Sequence, residues 1–153
     1  LGTDLHIKYG DSNESYSDLD EIYIRFIDPM NDYASQMSSH RNFREGSVEE
    51  VEAYLNERAQ SDPGRIPYCI RYEPERCGMY CLTWHNSASS QNPVKKVKIT
   101  LLPTGYLMER RQFTRPSEII DYLKKHVGGS GASKSSKPSS SSSGARRSRF
   151  SDR

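Results

Sequence analysis

Apolar side chains are scarce in this 153-residue sequence. Only 33% of residues are hydrophobic, below the usual share for a packed chain, so part of it is not expected to fold into a core. No apolar run approaches the roughly 20 residues that cross a bilayer, no secretory leader pattern opens the chain, and no membrane partner is expected. The chain opens at Leu1 rather than Met, which predicts a fragment of something longer. Cysteine is scarce too. Cys69, Cys77 and Cys81 are an odd set at strand-like positions, which fits reduced thiols of a cytosolic or nuclear protein better than a disulfide framework. The spacing Cys77-x3-Cys81-x3-His85 lacks a fourth ligand and falls on a loop and one strand, so no metal is expected. Cys81 with His85 or His126 has no supporting nucleophile motif. Burial explains such a cysteine, and His126 suits the negative end of a helix. No catalytic residue and no cofactor are predicted.

What the chain has is charge, unevenly placed. Residues 1–64 carry 14 acidic side chains against 5 basic, residues 65–129 carry 11 basic against 5 acidic, and residues 130–153 carry 6 basic against 1 acidic. The formal charge of +2 hides an acidic front and a middle third built to meet an anion.

Leu5, Ile7 and Tyr9 alternate, predicting one strand within residues 1–10. A lone strand is not stable, so it either joins a later sheet or is the last strand of a preceding domain, and fraying is expected before Ser17. A helix is predicted from Ser17, with Ser17 as cap and Asp20 as its box partner. Leu19, Ile22, Tyr23, Phe26, Ile27, Met30, Tyr33, Ala34 and Met37 keep helical spacing, and Pro29 should kink or split the run. Such a helix outside a compact domain bridges two packed bodies. A second helix is predicted from Ser47 to about Gln60, boxed by Ser47 and Glu50 and burying Val48, Val51, Tyr54 and Leu55. Ser61-Asp62-Pro63-Gly64 ends it.

Three strands follow, Arg65–Tyr72, Met79–His85 and Val94–Leu102, with a polar loop over 86–93. Pro103-Thr104-Gly105 turns the chain into a further strand, Tyr106–Gln112. A closing helix runs from about Thr114 to His126, with Pro116 in its first turn and Ile119, Ile120, Leu123 and Val127 inward. Beyond Gly129 the composition falls to Ser, Gly, Lys and Arg, which cannot offset ordering entropy, so residues 130–153 are predicted disordered. The fold class is α+β: a central antiparallel sheet of three to four strands with a helix on each face.

Helix, strands, helix is the order of an SH2 domain, and the local strings agree. Tyr68-Cys69-Ile70-Arg71 resembles that family's Phe-Leu-Val-Arg strand, Tyr80-Cys81-Leu82-Thr83 its next strand, Val94–Ile99 its third, and Ile119–His126 its closing helix. Asp18-Leu19-Asp20-Glu21-Ile22 through Pro29-Met30, followed by Ile66-Pro67-Tyr68, resembles the C-terminal part of the tandem SH2 module of the suppressor-of-Ty-six transcription elongation factors. The resemblance implies that residues 1–16 are the last strand of a preceding SH2 unit, 17–40 an inter-domain helix, and 41–129 a second SH2 unit. It implies a non-catalytic module in the nucleus that binds the phosphorylated largest subunit of RNA polymerase II during elongation. The histone-chaperone activity of the parent protein would lie outside these residues.

Phosphate recognition needs positive charge, donors in a fixed fork and partial exclusion of water. Arg71 supplies a guanidinium that cannot lose its charge, and the family's buried arginine falls at that place in the motif. Lys96 and Lys98 share a strand face opposite Val97, Ile99 and Leu101, beside the strand of Arg71, and Arg76 in the preceding loop closes the cup. At about 1.5–3 kcal/mol for each charge-assisted hydrogen bond, less association costs, binding should be micromolar. The competing reading of Arg71 is an internal pair with Glu73 or Glu75, and that of the lysines a solvated face. Phosphotyrosine-binding SH2 domains place an arginine early in the first helix. Here Ser47-Val48-Glu49-Glu50 stands there, Glu49 and Glu50 repel phosphate, and only Arg41 and Arg44 lie just upstream. Phosphoserine or phosphothreonine is therefore expected at least as readily as phosphotyrosine. Two alternatives stay open: weak nonspecific nucleic-acid binding through Arg146, Arg147 and Arg149 of the tail, and an inter-domain scaffold with a vestigial pocket.

Overall fold

The computed structural model describes residues 4–127 except 10, 88 and 90; the stretch 130–153, predicted disordered, lies outside the described residues. The chain begins with a hairpin in place of the single strand expected, β1 Leu5–Tyr9 against β2 Ser12–Tyr16, paired antiparallel from Leu5↔Tyr16 to Tyr9↔Ser12. The second strand, SNESY, was missed because its residues are mostly polar. It is held from the side: the Tyr9 and Tyr16 hydroxyls both donate to the Glu14 carboxylate. Burial, then its own hydrogen bond to Glu14 and the charge of that carboxylate, push the Tyr9 phenol up to about 12, so it stays a donor.

The first helical run is split at the place Pro29 predicts. α1 is Leu19–Ile22, a π-helical turn covers Tyr23–Ile27, and α2 is Asp28–Ser38. Proline has no N–H for the ladder and its ring crowds the preceding turn. The chain answers by widening: the Asp28 N–H reaches back five residues to the Tyr23 carbonyl, which absorbs the extra residue without breaking the axis. The cap differs from expectation. Asp18, not Ser17, accepts from the Glu21 N–H. Ser17 instead donates its own N–H and hydroxyl to the Glu21 carboxylate, a shift of one residue that still closes a box across the first turn. Those two donors and the Arg25 guanidinium hold the Glu21 carboxyl down at about 2.

α3 is Val48–Ser61, and both halves of the Ser47/Glu50 capping box form. The main sheet is five-stranded and antiparallel in sequence order: β3 Tyr68–Tyr72, β4 Met79–His85, β5 Val94–Leu102, β6 Gly105–Met108 and β7 Arg111–Phe113. The expected strand over 106–112 is two strands, turned at Glu109 and Arg110, which both hold positive φ (50° and 65°). Two left-handed residues are what a tight hairpin requires, and neither Glu nor Arg signals that in a sequence. At Gly105, φ is +132° and a Cβ would stand 2.2 Å from the Phe113 carbonyl oxygen, so only glycine fits there. α4 is Pro116–Val127.

The two faces of the sheet are covered differently. On one, Ile70, Leu82, Ile99, Leu101 and Tyr106 pack with Ile119, Ile120 and Leu123 of α4 and with Met37 of α2. The Tyr106 hydroxyl donates to the Tyr33 carbonyl at 2.6 Å. The second half of the long helix is thus part of this core. Its first half is not: Leu19 (73% exposed), Tyr23, Ile24 (65%) and Ile27 face outward. The other sheet face carries a smaller cluster, Val51 and Leu55 of α3 on Cys69. Burial raises the Cys69 thiol to about 11, leaving it inert. Beyond the β3 edge, Arg44 N–H donates to the Ile70 carbonyl and Ile70 N–H to the Asn42 carbonyl, so residues 42–44 lie parallel along β3, bridged at Phe43↔Ile70.

Candidate functional site

Register places the predicted residues. Cross-strand partners in an antiparallel sheet share a face. Arg71↔Cys81↔Lys98 form one row across β3, β4 and β5, and Cys69↔Thr83↔Lys96 the next. Arg71, Lys96 and Lys98 therefore sit on one face, under α3, with Cys81 and Thr83 as the floor between them. Two strand spacings separate the arginine from the lysines, about 10 Å between backbones. The Arg71 residue is 6% exposed, so it lies beneath the sheet and not in bulk water. Arg76 sits in the β3–β4 turn; its N–H donates to the Glu73 carbonyl and its side chain is exposed.

The chain also brings carboxylates to this cradle. Arg71 Nη2 lies 3.6 Å from Glu73 Oε2, while its Nη1 donates to the Tyr72 carbonyl at 3.3 Å. Of the two internal partners expected for Arg71, Glu73 is the one in place. Lys96 Nζ lies 3.5 Å from Glu52 Oε1 of α3. Glu49, one turn earlier, is held below the usual carboxylate range by its own N–H and the Ser47 hydroxyl, and then by the fields of Arg71 and Lys96. Arg71 and Lys96 each have a carboxylate within ion-pair distance, whereas Lys98 is exposed and has none among the described residues.

A second basic region lies at the far end of β3, where the strand predicted from Arg65 has not yet begun. Two adjoining cavities of about 380 and 460 Å³ share Arg41, Arg65, Ile66 and Tyr68. Arg58 of α3 lines one and Lys124 of α4 the other. Arg41, Arg58, Arg65 and Lys124 are all exposed, and Asp62, 3.5 Å from Arg65, is the carboxylate among the lining residues. Aromatic rings form the walls. The Arg58 guanidinium stands 5.5 Å from the Tyr54 ring centroid and Lys124 Nζ 5.8 Å from that of Tyr68, contacts that direct the cations without cancelling their charge. Sequence reasoning named Arg41 only as an upstream neighbour and missed the other three. They come from a loop, a helix end and a closing helix far apart in the chain, and no local spacing connects them.

A five-stranded antiparallel sheet between α3 and α4, with an arginine buried near the end of β3 beneath α3, is the architecture of an SH2-type domain. The chain matches the family model described as "SH2 domain" over residues 1–126, and it belongs to the SH2 family, in its transcription elongation factor Spt6 branch. SH2 domains of that branch are non-catalytic binding modules. Among its relatives is an Arabidopsis thaliana Spt6 homologue, 28% identical over 114 residues that make up 74% of this chain and 7% of that protein. Spt6 of Schizosaccharomyces pombe is 27% identical over 61% of this chain and 7% of its own length. The chain thus spans less than a tenth of the curated relatives it matches. Two solved structures share its fold. One is the tandem SH2 domain of Spt6 that binds the phosphorylated C-terminal repeat domain of RNA polymerase II, with TM-score 0.66 and 17% identity over 74% of this chain and 57% of that one. The other is the tandem SH2 structure from Antonospora locustae Spt6, with TM-score 0.61 and 14% identity over 79% and 66%.

Proposed function

We propose that this chain is a phosphopeptide-binding module that recruits a nuclear elongation factor to the phosphorylated largest subunit of RNA polymerase II. The solved Spt6 tandem domain, which binds the phosphorylated C-terminal repeat domain of RNA polymerase II, supports that partner. The module comprises the end of a preceding SH2 unit in residues 1–16, a linker over 17–40 and a second SH2 unit over 41–129. In support, the chain covers 57% and 66% of the tandem structures, more than one of two equal units. The outward face of Leu19, Tyr23, Ile24 and Ile27 also suits a neighbouring domain.

Within the module, the open groove receives the ligand phosphate. The observation that carries this is its unmatched charge: four exposed cations against one carboxylate. Arginine forks and an ammonium group on an accessible surface meet a dianion without first breaking internal pairs. Shallow exposed cations recognise the phosphate whatever its stem, so phosphoserine and phosphothreonine bind as readily as phosphotyrosine. Titrating matched peptides of all three kinds against wild type and Arg41→Ala/Lys124→Ala tests both parts. Micromolar binding of all three, weakened at least tenfold by the double variant, is expected. A preference above tenfold for phosphotyrosine overturns the ligand reading, and unchanged affinity in the variant overturns the groove.

A further inference from the structure

A third cavity, of about 460 Å³, lies at the end of β3 away from the groove, with Phe43, Tyr72, Tyr80, Pro74, Arg44 and Glu45 among its lining residues. Tyr72 and Tyr80 are cross-strand partners, and strand period puts them on the sheet face opposite Arg71. Phe43 comes from the segment that runs along the β3 edge. The Phe43 and Tyr72 rings each stand nearly perpendicular to that of Tyr80, at 74° and 77°, with centroids 6.3 and 5.7 Å away. Tyr80 is buried and Tyr72 is 42% exposed, so the aromatic wall opens to solvent. Glu45 is the carboxylate among the lining residues; it is exposed and has no ion-pair partner among the described residues. Arg44 does not neutralise it. Its guanidinium lies 3.7 Å from the ring centroid of Tyr54 on α3, outside this cavity's lining.

Aromatic faces attract cations, the more so where water is partly excluded. We propose that this cavity binds a methylated ammonium group, that of a trimethylated lysine side chain on a partner peptide. Charge decides against an apolar occupant such as proline, which would cover the rings and leave Glu45 without a partner. Methylation matters for a separate reason. A free lysine ammonium is compact and strongly hydrated through three N–H donors, and ring faces replace those bonds poorly. Trimethylation removes the donors and spreads the charge over carbon surface that the rings contact directly.

The inference does not depend on the phosphate reading: the cavity shares no lining residue with the groove, and its ligand is a cation. Four capped amino acids are titrated into the chain: trimethyllysine, lysine, proline, and an uncharged isostere of trimethyllysine with a tert-butyl head. Amide shifts of Arg44, Glu45, Gly46 and Tyr72 report on the cavity, and those of Tyr68 and Lys124 on the groove. Trimethyllysine is expected to shift the cavity amides alone and to bind about tenfold more tightly than each of the other three. Tyr72→Ala should abolish that binding and Tyr72→Phe keep it, because the ring face and not the hydroxyl makes the contact. Glu45→Gln should narrow the preference for trimethyllysine over the isostere by about threefold and leave isostere binding unchanged. Equal or tighter binding of the isostere or of proline overturns the proposal and makes the cavity an apolar one. So do equal binding of unmethylated lysine, cavity amides that do not move, and full affinity in folded Tyr72→Ala or lost affinity in Tyr72→Phe. Should Tyr72→Ala fail to fold, Glu45→Gln decides, since its side chain is exposed: an undiminished preference for the charged head rejects the site.

Discussion

The cradle under α3 and the groove at the start of β3 hold similar sets of cations and differ in what the chain puts opposite them. In the cradle, Arg71 and Lys96 already have Glu73 and Glu52 within 3.6 and 3.5 Å. In the groove, Arg41, Arg58 and Lys124 have no ion-pair partner among the described residues, and Asp62 meets only Arg65. Counting basic residues does not find a binding site; the charge left over after the protein's own carboxylates does. Burial sharpens the contrast. A guanidinium taken out of water needs compensation at once, and the fold supplies it before any ligand arrives. An exposed cation is compensated by solvent and can wait.

The comparison is broken most severely at Arg71. Arg71→Ala leaves Glu73 without its cation and should lower unfolding free energy by about 3 kcal/mol, read by urea denaturation, while phosphopeptide affinity at the groove stays within twofold. Loss of affinity in folded Arg71→Ala would put the working site in the cradle. Next, Arg41→Ala/Lys124→Ala should cost at least tenfold in affinity, about 1.4 kcal/mol, with stability nearly unchanged because both side chains are exposed. Its salt dependence of binding should also be shallower than that of wild type. Ser47→Ala removes half of the α3 capping box and should destabilise by about 1 kcal/mol, read by the same denaturation. The exposed Lys96–Glu52 pair contributes least: Lys96→Met should change stability by less than about 1 kcal/mol.

Acid sharpens the picture outside both regions. Glu21 is held at about 2, below its ordinary value, so its contribution to stability is complete above the unfolded carboxylate range and is lost as pH falls from about 4.5 towards 2. The stability difference between wild type and Glu21→Gln, followed by thermal melting, should be constant near neutrality and close across that window.

Much of this was legible in the sequence because the signals were local. The Ser47-x-x-Glu50 box, the alternation in Val94–Leu102 and the apolar stripe of the closing helix each lie within one element, and each formed. Pro29 announced its own disruption, although not that a π-helical turn would absorb it. Glu109 and Arg110 carried no turn signal, and β2 carried no apolar alternation, so two hairpins went unread. The cradle residues were legible because strand period put them on one face. The groove was not, because Arg41, Arg58, Arg65 and Lys124 meet only after three elements pack.

The sequence by itself determined most of the helices and strands, the family and the positions at which positive charge is carried, since propensity, capping and period act over a few residues. The tertiary structure decided which of those charges remain free. That depends on which carboxylates α3 and the turn after β3 bring within ion-pair distance, and such distances are set by packing across the sheet and not by neighbours along the chain.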